Sequence, residues 1–156
     1  MGIFPCPSFF LEMTMYEYRS KVVKVVDGDT IDVDIDLGFD VVLSKQRIRL
    51  YGIDTPECRT RDENEKFYGK LSADFLKKYC RKGSYIILKT HLDKKGKFGR
   101  ILGEIIVDDV NINQLMVKEN MAVEYHGQSK TIIEKEHLSN RSILVRKGHH
   151  YLNPKG

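Results

Sequence analysis

An α+β fold, a small closed five-stranded barrel with three helices packed outside it, is what this sequence of 156 residues predicts. Three observations lead there. Three β-type runs with turn signals between them occupy the start of the chain. The apolar period then lengthens to that of a helix, and two more β-type runs follow. Finally, the chain closes on two helical segments. Five short strands are too few for a sandwich but enough to close a barrel. A helix between the third and fourth strands is the connection of an OB-type barrel.

Each element has a local reason. Residues 16–26 alternate and are rich in Val, and they break at Asp27-Gly28, a strong hairpin signal. In residues 30–37, Ile31, Val33, Ile35 and Leu37 point one way and Asp32, Asp34 and Asp36 the other, which predicts an acidic solvent face. The Asp-x-Asp-x-Asp run is not an EF-hand loop: its glycine, Gly38, comes one place late, and Leu43 stands where the twelfth-position Glu belongs. After Gly38 a third strand returns over residues 41–51. From 63 to 82, Phe67, Leu71, Phe75, Leu76 and Tyr79 form one helical stripe, with Gly83 placed as the C-cap. Residues 85–92 and 100–107 read as strands joined by the basic loop 93–99. Asn111 or Asn113 caps a short helix that ends near Asn120, a residue tolerant of left-handed backbone. The capping-box pattern Thr131-Ile132-Ile133-Glu134 opens a last helix that runs to about Lys147.

Composition bounds the partners. The chain is 41% hydrophobic and 31% charged, with a net charge of +4, so a polyanionic partner is allowed but not demanded. No apolar run approaches the ~20 residues of a membrane span. The cysteines, Cys6, Cys58 and Cys80, lack metal-ligand spacing, and their odd number makes a poor disulfide framework. Cys58 beside Glu57 reads as a small residue next to an acidic site rather than a nucleophile. Residues 1–15 are expected to form a poorly ordered extension, 16–148 the functional domain and 149–156 a tail. The opening stretch lacks a basic n-region and is interrupted by Pro5, Pro7 and Glu12, so no export signal is visible and an intracellular, monomeric protein is expected.

The chemistry lies in Asp27-Gly28-Asp29-Thr30, in Leu50-Tyr51-Gly52-Ile53-Asp54-Thr55-Pro56-Glu57, and in Gly99-Arg100. Two acidic clusters at strand edges can converge on a hard cation. Asp29, Asp54 and a backbone carbonyl of the Asp54-Thr55-Pro56 turn offer oxygen ligands only, which selects calcium or magnesium over zinc. Calcium suits an irregular, loop-built site better. Glu57 would sit beside the metal, placed to deprotonate water. Arg49 and Arg100 can each hold phosphate oxygens in a forked geometry that Lys cannot copy. Taken singly, each has a plainer role: a turn, a cap, a solvated charge. His126, His137, His149 and His150 carry no metal-ligand spacing.

From about Tyr18 to Val145 the chain resembles the staphylococcal nuclease (thermonuclease) family. The matching segments are Val25-Val26-Asp27-Gly28-Asp29-Thr30, Arg49-Leu50-Tyr51-Gly52-Ile53-Asp54-Thr55-Pro56-Glu57, Lys97-Phe98-Gly99-Arg100 and Asn113-Gln114-Leu115-Met116-Val117. The resemblance implies an OB-fold barrel with three helices and calcium-dependent hydrolysis of DNA and RNA at the P–O5′ bond, leaving 3′-phosphates. By position it implies that Asp29, Asp54 and the Thr55 carbonyl hold calcium, that Glu57 acts on the attacking water, and that Arg49 and Arg100 stabilise the phosphate. Lys97, Phe98 and Tyr125 are the expected substrate contacts, with a core position the alternative for Tyr125. Phe98 stands where the best-known member has a phosphate-contacting tyrosine. It can stack but cannot donate that hydrogen bond. Lys94, Lys95 and Lys97 either track a nucleic-acid backbone or form a solvated turn.

The expected protein is therefore a nuclease acting on single-stranded or flexible nucleic acid, with few base contacts and salt-sensitive binding. Two rivals differ in kind. A non-catalytic OB-type module needs stacking aromatics on the barrel face and no full set of carboxylates. A calcium-stabilised interaction domain accounts for Asp29 and Asp54 but gives Arg49 and Arg100 no purpose.

Overall fold

The computed structural model describes residues 16–91 and 100–152. The extension 1–15, the loop residues Lys94, Lys95, Lys97 and Phe98, and the last four residues of the expected tail lie outside them. Long strands β1 (Glu17–Asp27), β2 (Thr30–Asp36) and β3 (Val42–Leu50) come first, then a short β4 (Ile53–Asp54) and helix α1 (Glu63–Tyr79). Strands β5 (Tyr85–His91) and β6 (Ile101–Val107) follow, then short β7 (Val110–Asn111), helix α2 (Ile112–Lys118), short β8 (Val123–Glu124) and helix α3 (Lys130–Arg146).

The barrel closes as expected. The strand order is β3-β2-β1-β5-β6, and β3 also pairs with β6. All neighbours in this ring are antiparallel except the closing pair, where Ile48 faces Ile101 and Arg49 faces Leu102 in parallel register. Closure buries apolar side chains from every strand of the ring: Val22, Ile31, Val33, Ile48, Leu50, Leu88 and Ile105 are each at most 2% exposed. Leu76 of α1 and Ile112 and Met116 of α2 join the same core. This is the five-stranded barrel with three outer helices that the sequence pattern called for.

Four local readings are corrected. Asp32 is not on a solvent face; it is 7% exposed and takes a forked pair of bonds from Arg47 Nε and Nη2 at 2.9 and 3.2 Å. A buried carboxylate needs such a partner, and alternation alone does not reveal one supplied by the neighbouring strand. Of the expected α1 stripe, Leu76 is in the core and Phe67, Leu71 and Phe75 pack partly buried against it, but Tyr79 is 36% exposed, and Tyr68, Gly69, Ser72 and Ala73 are the other deeply buried positions. Helix α1 stops at Tyr79, and Gly83 (φ 84°) serves the Arg81–Ser84 turn rather than capping it. Helix α3 opens at Ser129, whose side chain accepts from Ile132 N, two residues ahead of Thr131.

The two asparagines offered as caps divide the work. Asn111 is the N-cap of α2 and accepts from Gln114 N. Asn113, 2% exposed, accepts from Ile105 N at 3.2 Å and donates to the Tyr51 and Gly103 carbonyls at 2.9 and 3.1 Å. It satisfies backbone groups where β3 has ended and β6 continues, which fixes the start of the segment leading to Asp54. The expected tail begins by folding back: Tyr68 Oη donates to the His149 carbonyl at 3.3 Å, and the Tyr151 ring lies 5.9 Å from that of Phe67. No helix among the described residues is long and apolar enough to cross a membrane.

Glu104 on β6 ties His91 of β5 to Asn111 through bonds of 2.8 and 3.1 Å. Burial alone pushes this carboxyl up, but bonds from His91 and Asn111 outweigh burial and leave it below the ordinary 4.5. A depressed folded value stabilises above the unfolded pKa, and that stabilisation is lost as pH falls through the folded one. Glu104→Gln is therefore expected to lower the unfolding free energy by about 1 kcal/mol at neutral pH. Urea melts at stepped pH should show the two proteins converging as pH drops below 4.5. A gap that widens in acid contradicts this account.

Candidate active site

The two acidic segments meet because of how the barrel turns. Gly28 and Asp29 form the loop between β1 and β2, closed by the Asp27–Thr30 pair. Thr30 in turn pairs with Arg49 on β3, and Leu50 N donates to the Asp29 carbonyl at 2.8 Å. The chain then reverses at Tyr51-Gly52, where Gly52 has φ 76°, and β4 delivers Asp54 back alongside. Arg49 Nη2 lies 3.3 Å from Asp29 Oδ2 and 3.4 Å from Asp54 Oδ1. Thr55, itself buried, points its backbone N–H at Asp29 Oδ2 over 3.4 Å.

Two glycines make this approach possible. A Cβ on Gly28 would stand 2.8 Å from Ser72 Cβ of α1 and 3.0 Å from Thr55 Oγ1. One on Gly69 would stand 2.5 Å from the Glu57 carbonyl oxygen and 2.9 Å from Cys58 N. Helix α1 thus lies directly against both loops, each contact using a glycine where a side chain would normally intervene. Ser72 Oγ completes the seam, donating to the Met121 carbonyl at 2.6 Å.

Charge is unbalanced here. Glu57 is open at the surface, yet its carboxyl end is partly desolvated, and its pKa is raised by that desolvation and then by Asp29, Asp27 and Asp54. Asp27 Oδ1 is buried without a hydrogen-bond partner among the described residues. A surplus of carboxylate, with an orphaned buried oxygen, is what a divalent cation relieves, and the donors are oxygens throughout. No three His, Cys, Asp or Glu side chains among the described residues are grouped closely enough to form a metal shell by themselves. A hard cation at this site would need backbone and water oxygens besides Asp29 and Asp54, as calcium accepts. The residues fit such an ion.

Of the other sequence candidates, Arg100 is half-buried just ahead of β6, and Ile101 after it pairs with Ile48 beside Arg49. Tyr125 is 38% exposed and not a core tyrosine. It follows Val123, the β8 partner of Asp54, and lines a cleft of about 390 Å³ with Tyr51, Gly52, Asn113, Val117 and His126. Lys97 and Phe98 lie outside the described residues. Burial raises the Cys58 thiol pKa, which keeps it protonated and unsuited to nucleophilic work.

Sequence reasoning passed over two site residues. Asp27 was available in the motif but read as a turn residue; its Oδ1 is buried next to Gly28, which packs against Ser72 of α1. His137 had no motif at all. Its Nε2 lies 2.8 Å from Asp54 Oδ2, a contact across 83 positions that only the packing of α3 creates.

The family model for "Staphylococcal nuclease homologue" matches residues 47–148, well over half of the chain. A thermonuclease of Staphylococcus hyicus is 32% identical over 68% of this chain and 59% of its own length. A thermonuclease of Staphylococcus intermedius is 36% identical over 65% of this chain and 56% of its own. Endonuclease YhcR of Bacillus subtilis (strain 168) is 35% identical over 70% of this chain, a match covering 9% of that larger protein. The barrel, the acidic turns at its rim and these matches agree: the chain belongs to the staphylococcal nuclease family. It spans somewhat more than half the length of the two thermonucleases.

In an ordinary helix, Gly→Ala stabilises by up to about 1 kcal/mol. At Gly69 the sign should reverse, because the new methyl meets backbone atoms of Glu57 and Cys58 that cannot rotate aside. Gly69→Ala is expected to destabilise the fold by about 2 kcal/mol. Urea unfolding measures it, and a neutral or stabilised variant would show that α1 can back away from the Glu57 loop.

Proposed function

We propose that the domain of residues 16–148 is a calcium-dependent nuclease that hydrolyses phosphodiester bonds of DNA or RNA, cutting P–O5′ and leaving 3′-phosphate ends. The observation that carries this reading is Arg49 Nη2 within 3.4 Å of both Asp29 and Asp54, with Glu57 raised by desolvation and then by the neighbouring carboxylates. Thermonuclease and endonuclease relatives support it. A bound calcium ion would polarise a non-bridging phosphate oxygen and offset its charge.

The chain's own residues are assigned as follows. Asp29, Asp54 and the Thr55 carbonyl hold the cation. Glu57, its proton affinity raised, takes a proton from water as the water oxygen bonds to phosphorus. The P–O5′ bond breaks in line, and the electron pair leaves with O5′, which is then protonated. Arg49 and Arg100 hold the equatorial oxygens, where negative charge grows most in the five-coordinate state. Tyr125 and the neighbouring cleft, with Lys97 and Phe98, are assigned to substrate contact.

The test is direct. With single-stranded DNA, cleavage is expected with calcium and not with chelator, and the products should end in 3′-phosphate. Glu57→Gln should reduce kcat by about 10²–10⁴-fold while leaving substrate binding in place. Tight binding of DNA with no cleavage at any calcium concentration would instead support a non-catalytic single-strand module.

A further inference from the structure

The contact between His137 and Asp54 has no place among the assigned roles. Helix α3 is otherwise loosely held: its single buried residue is Leu144. The face it turns inward carries His137, Asn140 and Leu144, at helical spacing. Asn140 Nδ2 donates to the Ala122 carbonyl at 3.1 Å, immediately ahead of β8. His137 meets Asp54 on β4, the strand paired with β8. One helical face therefore grips both strands of the small sheet that carries Asp54.

We infer that His137 is a positioning residue for the calcium site, fixing the Asp54 carboxylate through Nε2 and Oδ2; this rests on the calcium reading above. An ionised carboxylate only accepts, so the imidazole is the donor and its hydrogen selects Oδ2. At 2.8 Å this is a well-formed bond, whereas Arg49 reaches Oδ1 only over 3.4 Å. The His137 side chain is 12% exposed and that of Asp54 31%, so water competes less for the imidazole than for the carboxylate it orients. The bond anchors one oxygen of Asp54 and leaves Oδ1 turned toward Asp29 and Arg49, where the cation is expected. Outer partners of this kind set the rotamer of a metal-binding carboxylate before the ion arrives. The C-terminal helix thereby becomes part of the metal site without supplying a ligand.

The test compares two helix-compatible side chains of similar size, in the full 156-residue chain. His137→Gln can still donate to Oδ2, while His137→Met cannot. Calcium affinity is read by titration calorimetry and by luminescence of terbium(III) bound in calcium's place. Unfolding in calcium-free chelating buffer tracks the packing of α3 separately. The methionine variant should bind calcium about 10–100-fold more weakly, and the glutamine variant should stay close to the unsubstituted protein. Equal affinities for the two variants overturn the inference: both normal means that the bond is idle, and both weak means that only the shape of the ring matters. Asp54→Asn serves as the reference. If the unsubstituted protein binds calcium and Asp54→Asn does not, a normal methionine variant removes His137 alone. If the unsubstituted protein binds no calcium, the calcium reading fails and the inference with it.

Discussion

The arrangement of this molecule depends on a close approach that glycine permits. Helix α1 lies against the Asp27–Thr30 turn and the Thr55–Cys58 loop at two points, and at both the residue that meets the neighbour is glycine. A helix normally stands off from a loop by the length of the side chains between them. Here one side of each contact has no side chain, so the two acidic loops share one surface and are held in register with each other. The barrel sets where each loop leaves, through the Thr30–Arg49 pair and the Leu50 N–H bond to Asp29. The glycine seam sets how far each can wander. Neither device alone would place Asp29 and Asp54 within reach of one guanidinium.

That proximity works against stability. Two like charges 4 Å apart repel by about 4 kcal/mol at an effective dielectric constant near 20, so several carboxylates gathered in one place strain the fold. Arg49 offsets two of them, but at 3.3 and 3.4 Å from each it is a shared and stretched partner. The remainder shows in Glu57, raised by desolvation and then by Asp29, Asp27 and Asp54, and in an Asp27 oxygen without a hydrogen bond among the described residues. A core this well closed can tolerate such a patch at its rim. The patch is the kind of local expense that functional sites carry and structural ones avoid.

The barrel was legible because alternation and helical period are local properties: the strands and helices fall within a few residues of where the pattern puts them. The convergence of Asp29, Asp54 and Arg49 was legible because all three sit at strand edges in motifs with little other purpose. What the pattern could not show depends on partners distant in sequence. Asp32 looked like a solvated charge until Arg47 on the adjoining strand was paired with it. Asn113 looked like a cap, and its three backbone partners come from β6 and the turn after β3. Gly69 sat unremarked inside a helical stripe, because nothing in a helix pattern says what its empty side will touch. His137 was one histidine among five, and only the docking of α3 singles it out.

These features bear on the choice between a catalytic and a merely binding barrel. A module that only holds single strands benefits from neutral or basic surroundings, since phosphate is repelled by every uncompensated carboxylate. This rim instead concentrates Asp27, Asp29, Asp54 and Glu57, and places Arg49 against two of them rather than free toward solvent. Such a surface is a poor phosphate receptor until a cation joins it. With the proposed cation, Asp29 and Asp54 would become its ligands and Glu57 a base close to water. An interaction domain stabilised by calcium would account for Asp29 and Asp54 equally well. It would leave unexplained why a third carboxylate is kept at the surface with its proton affinity raised, and why α1 is packed without a spacer against the backbone that carries it.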